Sequence, residues 1–529
     1  MNKQYLLIFI LLYAVNGFAQ DRYAVFFKDK VGSPFSINEP EQFLSYNAIV
    51  RTGRKVTNED LPVTPSYLVS LRNAGAEIIG TTKWLNGAII ELNETDLTSV
   101  MGLPFVKNVQ LVAFNGKPNT GGRTERMEEE EVIPSLPQND MLNSFQMNAE
   151  GYHGEGKLIA VLDGGFEGVN INSYFSHIYD EGKLLDAYNF VTNDVEIYGD
   201  ESNHGTRVFS TIAALGDDYA GIATGAHYVL YVTEDVGSEY RIEEYNWLMA
   251  AERADSAGVD IITSSVGYSD FDDASMDYTH EDLDGRTAVI TQAAEMAYER
   301  GMIVINSAGN SGNSSWQKVT PPADGEHVLA IGSVGADLSR SSFSSIGPVA
   351  EEWIKPDLMA MGGRTVLIND TGLVNSSGTS FAAPQVAGLV AGIWGKYPKL
   401  ANDLIVNILR ESADRAGQPD FEYGYGIPSY TAFDNLYNQV AKRDFYNVYP
   451  NPVVDDQVYL EVIDPNIIEN EVSIQLFTSD GKKLSEFNTT VSWGSNPISL
   501  SLKGLSKGVY LLKAISKDRT DVIPIMKQL

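Results

Sequence analysis

The stretch SSGTSFAAPQVAGLVAGIW, residues 376–394, decides how the rest of the chain is read. It passes from small polar residues into a helix that is apolar on every side, and such a helix is either buried in a large core or spans a membrane. The apolar run 381–394 contains Gln385 and two glycines and stops before Lys396, short of the roughly 20 residues a span needs. It is therefore a core helix, with Ser380 at its mouth. There the hydroxyl lies at the positive end of the helix, beside N–H groups that lack an intrahelical partner. An anion forming next to it is stabilised, as acyl transfer requires. For an isolated serine the better reading is an N-cap and nothing more, so the remaining sequence must separate the two.

A chain of 529 residues holds roughly two to four domains. With 43% apolar and 10% aromatic residues it can bury large cores, which excludes global disorder. The net charge of −32 excludes nucleic acid and anionic membrane surfaces as partners. The absence of cysteine rules out thiol catalysis, disulfides and Cys-ligated zinc.

Residues 1–19 have one lysine, a short apolar core and an ending in Gly17 and Ala19, the pattern of a secretory signal. No later stretch is long and apolar enough to span a bilayer, so the mature chain is expected to have no transmembrane segment. Residues 20–115 read as a small α/β module with strands in YAVFF, GAEIIGTTKWL and GAIIEL and helices over 65–74 and 93–101. Residues 116–140, rich in Gly, Pro and charge, read as an exposed linker where proteolytic clipping is expected. Over 141–443, continuous Val/Ile-rich runs (LIAVLD, HYVLYVT, VDIITSSV, MIVINSAGN, VLAIGSV) alternate with helices. That is the signature of an α/β fold with a mostly parallel sheet and helices on both faces, whose active residues collect at the carboxyl ends of the strands. From 444 to 529 short alternating strands without helices read as an all-β sandwich.

Three segments can converge on the serine helix. KLIAVLDGGF ends a strand in Asp163, NHGTRVFSTIAAL opens a helix with His204, and MIVINSAGN carries Asn310 just past a strand. Together they supply each part of nucleophilic acyl transfer: Ser380 attacks, His204 takes its proton, and Asp163 fixes the imidazole tautomer. Asn310 donates its amide to the oxyanion alongside the Ser380 N–H.

The motifs IAVLDGG, HGTRV, SAGN and GTSFAAP, in that order, resemble the signatures of the subtilisin family of serine proteases. The resemblance implies a seven-stranded parallel sheet and a secreted endopeptidase, made as a precursor, that acts on protein or peptide substrates and requires no cofactor. It also implies that Ser265, Val266 and Gly267 form an extended strand pairing with the substrate, and that Ala308, Gly309 and Asn310 line the pocket for the side chain before the scissile bond. Gly267 and Gly309 suit close backbone approach because neither carries a Cβ. The 20–115 module is similar in size and position to the pro-regions of secreted subtilisin-like proteases, which implies an intramolecular inhibitor. YPNP, TSDGKKL and LSKGVYLLKA in the last 86 residues resemble the C-terminal sorting domain of type IX secretion cargo. The implied partner is that secretion machinery, and the implied destination is the cell surface or the medium, through the periplasm and across the outer membrane.

Two features depart from the family pattern. Arg207 follows HGT and is expected to affect only the local surface. The insertion YSDFDDASMDYTHEDLDG, 268–285, has enough carboxylates for calcium but lacks the EF-hand spacing, and a solvated acidic loop is the preferred reading. Calcium is retained from the family without named ligands, so no metal-binding residue is assigned. Other classes fare worse. A catalytically inactive surface binding protein on the same fold should have lost Asp163, His204, Asn310 or Ser380, and an α/β-hydrolase esterase needs the chain order Ser, acid, His. A carbohydrate- or partner-binding module is the alternative for the tail.

Overall fold

A computed structural model describes residues 20–51, 54–114, 136–199, 202–350, 353–369, 372–441, 445–463, 467, 470–479, 481–516 and 519–528. The signal expected at 1–19 and most of the linker expected at 116–140 lie outside them. The described residues divide between Phe433 and Asp434 into two compact units.

In the N-terminal module, strands β1 (Asp21–Phe27), β2 (Glu77–Thr82), β3 (Gly87–Leu92) and β4 (Val106–Ala113) form an antiparallel sheet in the order β2-β3-β1-β4. Alternate residues point to opposite faces. One set, Tyr23, Val25, Phe27, Ile90 and Leu92, packs with Leu71 from the helix Pro65–Asn73. The other set, with Ala24, Ile89 and Val112, joins a core that includes Trp247, Leu248 and Met249 of the central domain. The module therefore completes its second face only against the helix Ile242–Ala257. Gly80 lets that helix seat, because a Cβ there would collide with Met249 Sδ.

The central domain is built on β5 (Leu158–Asp163), β6 (Leu184–Asn189), β7 (His227–Val232), β8 (Ile261–Ser264), β9 (Ile303–Ser307), β10 (Leu329–Val334) and β11 (Leu358–Met361). They pair in the order β11-β10-β9-β8-β5-β7-β6, and every pairing is parallel. All residues of β5, β8, β9, β10 and β11 are buried, as expected where helices cover both faces. β6 and β7 lie on one side of β5 and β8 to β11 on the other, so the crevice at the carboxyl ends of β5 and β8 is a topological switch point. The helix Thr379–Lys396 packs on β8, β9, β10 and β11, with every residue from Thr379 to Trp394 buried. The hairpin of β12 (Thr365–Asn369) and β13 (Gly372–Ser376) leads into it. Lys355 and Asp357 form a buried pair (2.8 Å) beside β11, with Asp357 also accepting from Ala330 N–H. The stretch expected as linker folds at its end: Pro137–Met141 is helical, and Gln138 donates to Val366 O (2.9 Å).

In the C-terminal unit, β14 (Tyr446–Tyr449), β15 (Gln457–Val462), β16 (Asn470–Thr478), β17 (Lys483–Val491), β18 (Ile498–Ser501), β19 (Gly508–Ile515) and β20 (Thr520–Lys527) form two antiparallel sheets, β14-β15-β18 and β17-β16-β19-β20. Val458 and Leu460 from one sheet share a core with Val472, Ile474, Leu476 and Leu512 from the other, the expected sandwich.

A buried charge cluster joins the N-terminal module to the central domain. Asp255, on the helix Ile242–Ala257, is fully buried and accepts from Arg51 (3.0 Å), Arg54 (3.1 Å) and Lys83 (3.2 Å). Arg300 reaches back to Asp60 (2.8 Å). Glu252 accepts from Thr82 Oγ1 (2.5 Å) and from the N–H groups of Lys83 (2.8 Å) and Trp84 (3.0 Å). Burial alone would raise the Asp255 pKa, but Lys83, Arg54 and Arg51 bring it down to about 2. Its contribution to stability is thus complete above the unfolded value of about 4 and is lost as pH falls through about 2. Asp255→Ala would leave three buried cations unbalanced. In the uncleaved Ser380→Ala chain it should cost about 3–5 kcal/mol in urea unfolding near neutral pH. A loss below about 1 kcal/mol would mean the cluster does not bind the module to its partner.

Candidate active site

Asp163 is the last residue of β5 and fully buried. Its Oδ1 accepts from the Gly164 N–H (2.8 Å) and lies 2.6 Å from His204 Nδ1. His204 is the first residue of the helix His204–Ala213, and its backbone N–H donates to Ser202 Oγ (3.2 Å). Gly205 explains how a helix can begin this close to a strand end. A Cβ there would collide with Gly165 O and lie 3.0 Å from Asp163 Cβ.

Ser380 stands in the first turn of the helix Thr379–Lys396, and its side chain is not the cap: the N-cap is Gly378. Four residues on, Pro384 has no N–H to give to Ser380 O, and the Ser265 hydroxyl donates to it instead (2.8 Å). That bond ties the serine turn to the end of β8. The His204 ring lies 5.9 Å, centroid to centroid, from the ring of Phe381, which brings His204 beside the serine turn.

Asn310 is exposed just past β9. Its Oδ1 accepts from both the backbone N–H and the hydroxyl of Thr379, each at 2.9 Å. With the carbonyl end so held, the amide NH₂ is the end left to face the cleft. The Thr379 N–H goes to Asn310 and the Phe381 N–H to Gly378 O. Between them the Ser380 N–H has no acceptor among the described residues.

The expected substrate-lining residues follow the ends of β8 and β9. Ser265–Gly267 follows β8, which ends at Ser264, and Asn306 Nδ2 donates to Val266 O (2.9 Å). Ala308 is fully buried in a cluster with Val319 and Ala330. The missing Cβ atoms of Gly267 and Gly309 also make room for neighbouring side chains. A Cβ on Gly267 would collide with Thr320 Oγ1, and one on Gly309, where φ is +103°, would lie 3.0 Å from the same oxygen and 3.0 Å from Ser345 Oγ. Asn306, Thr320 and Thr379 were not singled out from the sequence. Of these, Thr379 lies inside GTSFAAP and Asn306 inside MIVINSAGN, whereas no motif marks Thr320.

The departures also differ from expectation. Arg207 is buried (5% exposed) rather than at the surface, and its Nη2 donates to Asn203 Oδ1 (2.5 Å). The acidic insertion is anchored rather than merely solvated: Phe271, Met276, Tyr278 and Leu283 are buried. Its carboxylates cap turns, with Asp277 accepting from Phe271 N–H (2.7 Å), Asp282 from Thr279 N–H (2.7 Å) and Asp284 from Thr287 N–H (2.7 Å). Among the described residues no three acidic or histidine side chains stand together as a metal site.

Such a parallel sheet, with aspartate, histidine and serine at its carboxyl edge in that chain order, defines a class of serine peptidases. Residues 154–426 match the subtilase family (Peptidase S8), 22–130 a peptidase S8 propeptide domain of Bacteroidota, and 447–528 a secretion system C-terminal sorting domain. The chain is 30% identical over 290 residues to subtilisin DY of Bacillus licheniformis, covering 54% of this chain and 94% of that protein. It is 32% identical over 248 residues to subtilisin-like protease 2 of Trichophyton rubrum, covering 45% of this chain and 50% of that one. The fold resembles the epidermin leader peptide processing serine protease (EpiP) of Staphylococcus aureus, with a TM-score of 0.56 at 17% identity, over 79% of this chain and 99% of that one. The chain belongs to the subtilase family and is a subtilisin-like serine peptidase with a propeptide domain. Its sorting domain indicates type IX export to the cell surface or beyond.

Gly205→Ala should push His204 away from Asp163. Because misplacement by about 1 Å costs about 10²-fold, kcat/KM on a peptide substrate should fall by that order while the circular dichroism spectrum stays native. Near-normal turnover would show that the close approach at Gly205 does not set the histidine.

Proposed function

We propose that the chain is a secreted endopeptidase that cleaves proteins through an acyl-enzyme formed on Ser380. The observation that carries the reading is the Asp163 Oδ1 to His204 Nδ1 distance of 2.6 Å at the mouth of the serine helix. A hydrogen bond there places the proton on Nδ1 and leaves Nε2 as the base. His204 takes the Ser380 proton as Oγ attacks the scissile carbonyl, then returns it to the leaving amine. The carbonyl oxygen becomes an oxyanion, which the Asn310 amide and the Ser380 N–H receive. The reaction uses no cofactor. Ser265–Gly267 pairs with the substrate backbone, and Ala308–Asn310 flanks the side chain before the scissile bond.

The N-terminal module acts as an intramolecular inhibitor until the enzyme cuts it free. Its sheet completes a core with the peptidase helix Ile242–Ala257, which supports that role. The C-terminal sandwich carries the protein through the secretion machinery and takes no part in catalysis.

Ser380→Ala should abolish hydrolysis and leave the precursor uncut in a clean recombinant preparation. Turnover near the wild-type rate would refute the nucleophile, and maturation of the variant would refute self-processing. Removing 444–529 should leave a peptidase active on short peptides that accumulates in the periplasm. Normal secretion with weakened action on large substrates would make the sandwich a substrate-binding module instead.

A further inference from the structure

We propose that Thr320 closes the pocket for the side chain before the scissile bond, so that this enzyme cleaves after small residues such as glycine, alanine and serine. The proposal rests on the preceding function, in which Ser265–Gly267 and Ala308–Asn310 are the two walls of that pocket. The walls extend from β8 and β9, which are adjacent and parallel, and such strands lie only about 4.8 Å apart. A side chain can enter between their extensions only where both lack one, at Gly267 and Gly309.

One side chain stands at both openings. A Cβ on Gly267 would collide with Thr320 Oγ1 and lie 3.0 Å from Thr320 Cβ, and a Cβ on Gly309 would lie 3.0 Å from Thr320 Oγ1. Ser345 Oγ adds a second stop, also 3.0 Å from the Gly309 position. Thr320 and Ser345 are both buried, at 5% and 0% exposed.

Neither stop is free to swing aside. Thr320 is β-branched and stiff about χ1. Its backbone is held on both sides: the Val319 N–H donates to Ile346 O (3.0 Å), the Ala323 N–H donates to Thr320 O (2.9 Å), and the Tyr268 N–H, next to Gly267, donates to Pro321 O (3.3 Å). Ser345 is fastened to the other wall, its N–H donating to Gly309 O (3.0 Å) and its Oγ accepting from the Ser311 N–H (3.0 Å). A large aromatic side chain must bury about 150–250 Å², which a slot blocked by a fixed threonine does not offer. A methyl or hydroxymethyl group fits the space that remains.

The test uses the matured enzyme and a peptide series that varies only the residue before the cleaved bond. Single-group changes in such pockets are worth about 10–200-fold. Wild type should therefore cleave the alanine peptide at least about tenfold better than the phenylalanine peptide in kcat/KM. Thr320→Gly should shift that ratio toward phenylalanine by about tenfold or more, and Thr320→Ser, which keeps the Oγ, should shift it less. Wild type that prefers phenylalanine overturns the proposal even if no variant folds, as does a Thr320→Gly ratio that does not move. Either result leaves the proposed function standing, because the peptides are still cut. Turnover of the whole series that survives Ser380→Ala would instead bring down the function itself.

Discussion

The structure depends on how closely the serine helix is drawn into the core. Every residue from Thr379 to Trp394 is buried, and the approach is close at Gly388 and Gly392. A Cβ on Gly388 would lie 2.8 Å from Ile222 Cβ, and one on Gly392 would collide with Met147. Contacts this tight fix the helix along its axis as well as sideways, because interiors are packed like crystals. Ser380 is thereby placed without depending on a loop. Pro384 then frees Ser380 O from the helix ladder, and Ser265 takes it up. The same turn holds Asn310 through Thr379, so one helix end organises groups from β8 and β9 together.

The histidine is set by a second close approach, at Gly205, and its ring nitrogen meets a carboxylate buried at the end of β5. These contacts come from rigid elements, which fits chemistry that depends on preorganised donors. The N-terminal module contributes differently. It lends one sheet face to the peptidase core and buries Asp255 among three cations. Breaking such a cluster is costly because it leaves charge uncompensated.

Much of this was legible in the sequence where a local pattern carries the information. β5, β7, β9 and β10 are continuous apolar runs, and Asp163, His204 and Ser380 sit in short motifs at element ends. β6 was not legible: LLDAYN is an edge strand that leaves Leu185 56% exposed, so its pattern is mixed. β4 has polar residues at Lys107, Asn108 and Gln110 for the same kind of reason. Arg207 looked like a surface residue because charge usually is, yet helix packing buried it. The glycines at 267 and 309 were recognisable, but what fills their space was not, since Thr320 is distant in sequence from Gly267 and no motif marks it. Asp255 and its partners Arg51 and Arg54 are separated by 204 and 201 residues, beyond any periodicity.

The central claim is that Ser380, His204 and Asn310 act on one carbonyl. It is tested most directly by the crystal structure of the enzyme treated with a serine-directed phosphonylating reagent. Phosphorus should be bonded to Ser380 Oγ, with the phosphonyl oxygen about 2.7–3.1 Å from both Asn310 Nδ2 and the Ser380 nitrogen. An adduct on another residue, or a phosphonyl oxygen turned away from Asn310, would contradict it.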